Sequence, residues 1–514
     1  MADDTWCPRG AEDLGVASSV GGLWARNAVS RPSSRCVAEY SSAAGAEAGR
    51  LSWGEFDAAA WGCGVALAAL APKRVALLAH PTAAQYCCAA GAARAGLSAC
   101  LLNWRQPAAA LSHALAVAAP EALVASRPFA ALAAEASAGA VPVARLDAVA
   151  SPALGFAADG RLSPAPARPG PAPAAPDIES RATVFVFFTS GSTGRPKGVP
   201  HTNGSLLAQC RNAARASAAV GAGAFAGPDP PPTLAFLPNF HVIGFVLNFV
   251  LPAFLGAPCA VHAECESSPL SLDLLLNAAA ALAPATVDTV PALLEDLARR
   301  PDLAAAARPF VGPAVAYGGA PLAPWAAAKL RAAGVRAFSQ YGATEHGGPL
   351  LVGAAGDALG AMRGTGGCDL VLDADGYRSP DVLEGELVVL GCAYVTPGYL
   401  GAPAPSPPFE AERRTGDVFR RVESAGGAAF AYVCRRDDLL VLSSGELANP
   451  LPLEARLAAE LPPDVRACVI GQGRASPVVV VSKRVERAAL ARACAAANRS
   501  AESYARVAPG AGNG

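Results

Sequence analysis

Lysine is nearly absent from this sequence of 514 residues. Of its 41 basic side chains only four are lysine, at Lys73, Lys197, Lys329 and Lys483, and the rest are arginine. A lysine kept in such a chain points to a need for a compact point charge rather than a planar guanidinium. An excess of charge of either sign is also missing: 16% of residues are charged and the net charge is -1. That leaves no basic field for nucleic acid or for an anionic membrane. The 14 cysteines include no C-x-x-C pair and one vicinal pair, Cys87-Cys88. A zinc site therefore has little support, and small buried thiols in a reducing, cytoplasmic compartment are expected. The polar, acidic start MADDTWCPRG lacks the features of a secretory or transit segment, and the final GNG carries no retention or peroxisomal signal. No unbroken apolar run is long enough to span a membrane. The stretch 243–261 is interrupted by Asn248, Pro252, Gly256 and Pro258, so it reads as a buried helix, a turn and a strand, without membrane insertion.

What is present is a globular composition, 52% hydrophobic, on a chain too long for one ordinary core. Alanine-rich helical stretches alternate with short strand-like runs over residues 55–145, among them Arg74–Ala79 and Ala99–Leu102. The Pro/Ala-rich segment 161–178 reads as a linker. Strand–helix alternation resumes over 182–360, and glycines with short β-like runs over 364–433 predict a small antiparallel unit. A boundary near Asp437 divides the chain into domains 1–437 and 438–514.

The apolar run Ala182–Phe188 predicts a buried strand, and it leads into Thr189-Ser190-Gly191-Ser192-Thr193-Gly194-Arg195-Pro196-Lys197-Gly198. Glycines let a backbone turn its N–H groups inward, hydroxyls add donors, and one ammonium neutralises charge, which together suit a polyphosphate. A flexible surface turn is the other reading of such a stretch; the strand in front and Pro196-Lys197 favour the phosphate loop. It is not a Walker A loop, which needs glycine where Pro196 stands.

This loop resembles the phosphate-binding loop of the adenylate-forming superfamily, and further motifs of that superfamily follow in order, so that the likeness covers roughly residues 20 to 507. Tyr317-Gly318-Gly319-Ala320-Pro321 resembles its adenine-pocket turn. Tyr341-Gly342-Ala343-Thr344-Glu345 is similar to the stretch in which the tyrosine stacks on adenine, the threonine binds a phosphate oxygen and the glutamate holds Mg²⁺. Gly385-Glu386-Leu387 and Pro397-Gly398-Tyr399-Leu400 resemble a structural β segment, to which no chemistry is assigned. Thr415-Gly416-Asp417 matches the motif whose aspartate accepts from the ribose hydroxyls. Arg435-Arg436-Asp437-Asp438, followed by Ser443–Glu446, resembles the hinge motif, with Arg435 on ribose or phosphate and Asp437 as the pivot; here Cys434 replaces a glycine and Leu447 stands where many relatives have lysine. Asn239-Phe240-His241 resembles an aromatic–histidine pair at the wall of the acid pocket, although a histidine taken alone is more often a core or capping residue. The absence of an aspartate there argues for an acid without an α-amino group. Val242, Ile243, Gly244 and Ala343 suit an aryl or medium aliphatic acid.

The resemblance implies an α/β protein with a large N-terminal domain of two α/β subdomains plus a small β-barrel-like subdomain, and a small, truncated α+β C-terminal domain. It implies ATP-dependent conversion of a carboxylic acid to an acyl-adenylate and transfer to a thiol, with ATP, Mg²⁺, and CoA or the phosphopantetheine of a carrier protein as cofactors or partners. Lys197, His241, Thr344, Glu345 and Arg435 are the implied catalytic residues, and Glu345 the metal ligand. The flavour of 437–454 is closest to carboxylic-acid-reductase-like adenylation domains, which makes a carrier-dependent reductase or synthetase the alternative. Relatives also end on a catalytic lysine. No lysine follows Lys483, so weakened turnover or a silent nucleotide-binding relative is a further expectation.

Overall fold

The computed structural model describes residues 17, 19–41, 45–150, 178–190, 196–219, 230–262, 271–353, 360–405, 407–424, 427–444, 446–499, 501 and 505–509. The linker expected at 161–178 therefore falls, but for its last residue, outside the described residues. The chain packs as two compact units. The first is Met1–Asp369 with Leu390–Arg413 and Ser424–Ala429; the second is Leu370–Val389, Arg414–Glu423 and Phe430–Gly514.

The first unit contains two sheets. In the six-stranded one the order is Val143–Arg145, Ala122–Ala125, Arg74–Leu78, Ser98–Leu101, Thr183–Ser190 and Pro196–Thr202. All neighbours are parallel except the last pair, which is antiparallel. Its inner strands are buried along their length, as parallel strands covered on both faces must be. Alanine-rich helices cover them, and their composition follows from how closely they approach. A Cβ on Gly91, in the helix Ala83–Arg94, would lie 2.2 Å from the carbonyl oxygen of Ala60 in the helix Trp53–Leu70. That second helix starts on a capping box, Ser52 accepting from the Glu55 N–H while the Glu55 side chain accepts from the Ser52 N–H.

The second sheet of this unit runs Ala361–Gly364, Gly348–Val352, Ala337–Ala343, Ala314–Tyr317, Thr286–Thr289, Thr233–Ala235, Cys259–His262, Arg35–Ser41 and Ala46–Ser52. The strands from Ala337–Ala343 to Arg35–Ser41 are mutually parallel. Residues 243–262 form the expected helix, turn and strand. Loops at the carboxyl ends of parallel strands are where α/β sheets place ligands, and the singled-out motifs at 239–241, 318–320 and 344–346 follow such ends.

In the second unit the strands run in the order Tyr377–Arg378, Asp369–Ala374, Glu384–Leu390, Glu412–Ser424 and Gly427–Arg435. The small β subdomain is thus an open run, and no closed barrel is needed. The helices Leu451–Glu460 and Arg487–Asn498 pack on a three-stranded sheet around Leu453, Leu457, Val469, Val479 and Ala493, giving the α+β piece. Among the described residues no helix is long and apolar enough to cross a membrane, and the described cysteines are free thiols.

Candidate functional site

The phosphate-loop candidate joins two paired strands, Thr183–Ser190 and Pro196–Thr202, in which Thr189 faces Lys197 and Ser190 faces Pro196. A Walker A loop enters a helix, so this geometry agrees with its exclusion. Gly191, Ser192, Thr193 and Gly194 lie outside the described residues. The pairing places the Lys197 ammonium 5.1 Å above the ring of Tyr399.

Tyr399 in turn reaches Glu345. Its hydroxyl donates to Glu345 Oε1 at 2.6 Å, and Arg413 Nη2 lies 2.7 Å from the same oxygen. Glu345 and Arg413 are each 8% exposed. Burial pushes the Glu345 carboxyl upward, but the Arg413 charge and the Tyr399 hydrogen bond outweigh it and hold the group below its ordinary range. Glu345 sits in a short turn, Thr344–His346, after the strand Ala337–Ala343. Below it His201 Nε2 donates to the Thr344 carbonyl at 2.7 Å. Burial lowers the His201 pKa to about 4 and that of His346 to about 3, so both rings are neutral supports rather than charges. The Thr396 N–H donates to the Glu345 carbonyl at 2.7 Å.

The structure therefore gathers Lys197, Thr344 and Glu345 into one cluster and adds Arg413 and His201, which the sequence did not single out, and Tyr399, which was read as part of a segment without chemistry. It also corrects the reading of 385–400 as one β segment without chemistry. Gly385-Glu386-Leu387 lies in a strand, whereas Pro397–Leu400 is loop, and its tyrosine binds the proposed metal ligand. A tyrosine beside glycine in a loop was the available signal.

Gly318, Gly319 and Ala320 follow the strand Ala314–Tyr317, and a Cβ on Gly318 would lie 3.0 Å from the carbonyl oxygen of Gln340, the residue before Tyr341. Tyr341 is half-buried and Gly342 exposed. His241 is exposed just before the helix Ile243–Val250 and lies against Phe240, ring centroids 4.6 Å apart. Partial desolvation, then the charge of Arg105, lower its pKa.

In the second unit, Asp417 and Arg435 come together: Arg435 Nη1 is 3.4 Å from Asp417 Oδ1. The Thr415-Gly416-Asp417 turn is fixed from below, Gly416 N–H donating to Glu386 Oε1 at 3.0 Å and Thr415 Oγ1 to the Leu387 carbonyl at 2.8 Å. Asp437 is exposed. Lys483 pairs at the surface with Asp464, 2.8 Å away.

A sequence profile described as AMP-binding enzyme matches residues 24–400, and one described as AMP-binding enzyme C-terminal domain matches residues 437–511. The chain belongs to the AMP-binding enzyme family. Among curated AMP-binding enzymes it is 25% identical over 296 residues to a 2-succinylbenzoate–CoA ligase of Enterococcus faecalis, covering 55% of each chain. It is 26% identical over 303 residues to an adenylate-forming reductase of Serpula lacrymans, covering 56% of this chain and 26% of that one. The chain thus spans about half, or less, of the length of these curated relatives. Among solved structures, an O-succinylbenzoate coenzyme A synthetase of Bacillus subtilis, in complex with ATP and magnesium ion, aligns over 95% of this chain and 94% of its own with a TM-score of 0.75 and 20% identity, which establishes the shared fold.

Proposed function

We propose that this AMP-binding enzyme activates a carboxylic acid with ATP, forming an acyl-adenylate and releasing pyrophosphate, and then passes the acyl group to a thiol. The observation that supports it is the contact chain from the phosphate-loop hairpin through Lys197 and Tyr399 to Glu345. It unites the two motifs that the reaction needs on the pyrophosphate side.

The chemistry follows from the residues. A carboxylate is a poor electrophile until its oxygen is bonded to the α-phosphorus. The loop 189–198 cradles the departing pyrophosphate with backbone N–H groups and hydroxyls, Lys197 neutralises it, and Thr344 donates to a phosphate oxygen. Tyr341 stacks on adenine beside Gly318, Gly319 and Ala320. In the second unit, Asp417 takes the ribose hydroxyls with Arg435 beside it. His241 guards the entry of the acid. Among the described residues no three His, Cys, Asp or Glu side chains gather into a metal cage. The donor set is one ionised carboxylate, Glu345, which fits Mg²⁺, an ion that takes few protein ligands and shares substrate phosphates. Bound there, it supplies charge neutralisation to the phosphates. Domains 1–437 and 438–514, pivoting at Asp437, belong to the same proposal, since thiol transfer needs the site remodelled after adenylation. The thiol is that of CoA or of a carrier pantetheine; likeness to an adenylate-forming reductase keeps the carrier reading in view. The free thiols, including Cys87 and Cys88, support a cytoplasmic setting.

Acid-dependent exchange of labelled pyrophosphate into ATP is the expected result with a panel of aryl and aliphatic acids. Lys197→Ala should lower it by about 100- to 1,000-fold, and Glu345→Ala or Asp417→Ala should weaken ATP binding. ATP binding without exchange on any acid would replace this reading with a silent nucleotide-binding relative. CoA and a loaded carrier protein, offered separately, separate the two thiol readings.

A further inference from the structure

Behind the turn at Gly318 the first unit holds a cavity of about 50 Å³, room for about three or four waters. Leu247 and Leu251 of the helix after His241 line it, with Ala316 and Phe338 of the sheet; its polar side chains are Asp288, Gln340, Ser217, Thr233 and Thr286. Asp288 is the one charged residue among the described residues of its wall. It is 7% exposed, and its one hydrogen-bond partner among the described residues is the neutral amide of Gln340, whose Nε2 donates to Oδ1 at 3.0 Å.

A buried carboxylate held by one amide is costly. Burial raises its pKa to about 6 despite the Gln340 bond, leaving it mostly ionised at neutral pH. Asp57 offers the contrast: burial raises it to about 6 as well, but Arg94 meets it through two contacts, at 2.9 and 3.0 Å, and that pair fastens two helices together. Asp288 has no such structural return. Its position supplies another. Gln340 precedes Tyr341, and a Cβ on Gly318 would lie 3.2 Å from Gln340 Cγ and 3.7 Å from Ile243 Cδ1. The polar end of the cavity thus adjoins the glycine turn and the helix that begins after His241. With Gln340 donating through its nitrogen, the groups that this pair leaves to face an occupant are oxygens, Asp288 Oδ2 and Gln340 Oε1. An acceptor pair that includes a carboxylate, in a slot otherwise lined by apolar and hydroxyl side chains, is complementary to a donor carried on a largely apolar body.

We propose that Asp288 is a specificity residue, accepting a hydrogen bond from an amino or hydroxyl group carried by the acid at its end remote from the carboxylate. This rests on the activation of an acid proposed above and names the class of that acid. The small volume limits what enters to the tip of an aryl or short aliphatic acid.

The test uses the full chain with 3- and 4-amino-, hydroxy- and methylbenzoates, and with 5-hydroxypentanoate against hexanoate. In pyrophosphate exchange the donor-bearing acid of the best set should exceed its methyl counterpart by about 100-fold or more in kcat/KM. Asp288→Leu should abolish or reverse the preference. Asp288→Asn, which keeps the volume, should remove most of it and guards against misfolding of the leucine variant. Equal use of both acids, or a preference unchanged in both variants, overturns the proposal while the activity stands. Absence of exchange with every acid defeats the activity. Calorimetric binding of the same acids then decides the inference: donor-selective binding lost in Asp288→Asn sustains it, and unselective or absent binding overturns it. Amino against hydroxyl within one set identifies which donor is read.

Discussion

Glu345 shows how one carboxylate is kept ionised in a place where burial opposes charge. Arg413 and Tyr399 both address Oε1, and the pair is worth most when both partners are present, because an unmatched buried charge costs more than the pair returns. Arg413→Met should therefore destabilise the protein by about 3 kcal/mol at pH 7 in urea denaturation. The Glu345 carboxyl is held low in the wild type, so its contribution is present above the ordinary glutamate range and fades as pH falls through and below it. The gap between wild type and Arg413→Met should narrow from pH 7 towards pH 4, and Glu345→Gln added to Arg413→Met should recover part of the loss. A gap independent of pH would show that Arg413 acts by packing on Phe409, over whose ring it lies. The motif around it was legible as a string, but the roles of its arginines were not. Successive residues of a strand face opposite ways; Arg413 meets Glu345 whereas Arg414 meets Asp373 at 3.0 Å. Nothing in the sequence says which way each one turns.

At the scale of elements, runs of apolar residues were readable and their partners were not. Ala182–Phe188 read as a buried strand, and the strand spans Thr183–Ser190. Its partner Pro196–Thr202 carries proline, lysine, glycine and histidine, so no alternation marks it, and pairing across the hairpin makes it a strand. Residues 243–261 read as a buried helix, a turn and a strand, but the winding of the helix was hidden. The first half is π-helical: the Leu251 N–H donates to the Val246 carbonyl, five residues back, and Asn248 Nδ2 donates to the Ile243 carbonyl at 3.1 Å. Single π turns concentrate at functional sites, and this helix lends Leu247 to the wall of the cavity that holds Asp288. Its entry depends on Gly244, where a Cβ would lie 2.1 Å from the Pro238 carbonyl oxygen. Gly244→Ala should cost roughly 1–3 kcal/mol in urea denaturation and shift acid preference in pyrophosphate exchange. A variant as stable as wild type would mean that the turn after Pro238 yields easily.

Over the whole molecule, motif order in the sequence identified the family, while the assembly of the sheets lay beyond it. The strand Arg35–Ser41 pairs on one side with the adjacent Ala46–Ser52 and on the other with Cys259–His262, more than 200 residues away. Such pairings are set by tertiary burial, not by local pattern. The two units have separate cores, and chains of that kind depart from all-or-none unfolding. Trp24, Trp53, Trp61, Trp104 and Trp325 belong to the first unit, and the second has no tryptophan. Tryptophan fluorescence should therefore miss a step in urea that far-ultraviolet circular dichroism records; coincident curves would show that both cores melt together. The scarcity of lysine has a consequence of another kind. Lys329 lies over the Trp325 ring, Lys483 is engaged with Asp464, and Lys197, in the strand that follows the proposed phosphate loop, lies over Tyr399. A nucleotide carrying an amine-reactive acyl phosphate has four side chains in the entire chain to choose from, so a single acylated peptide would act as an address label for occupancy of the site, readable in a crude mixture by mass.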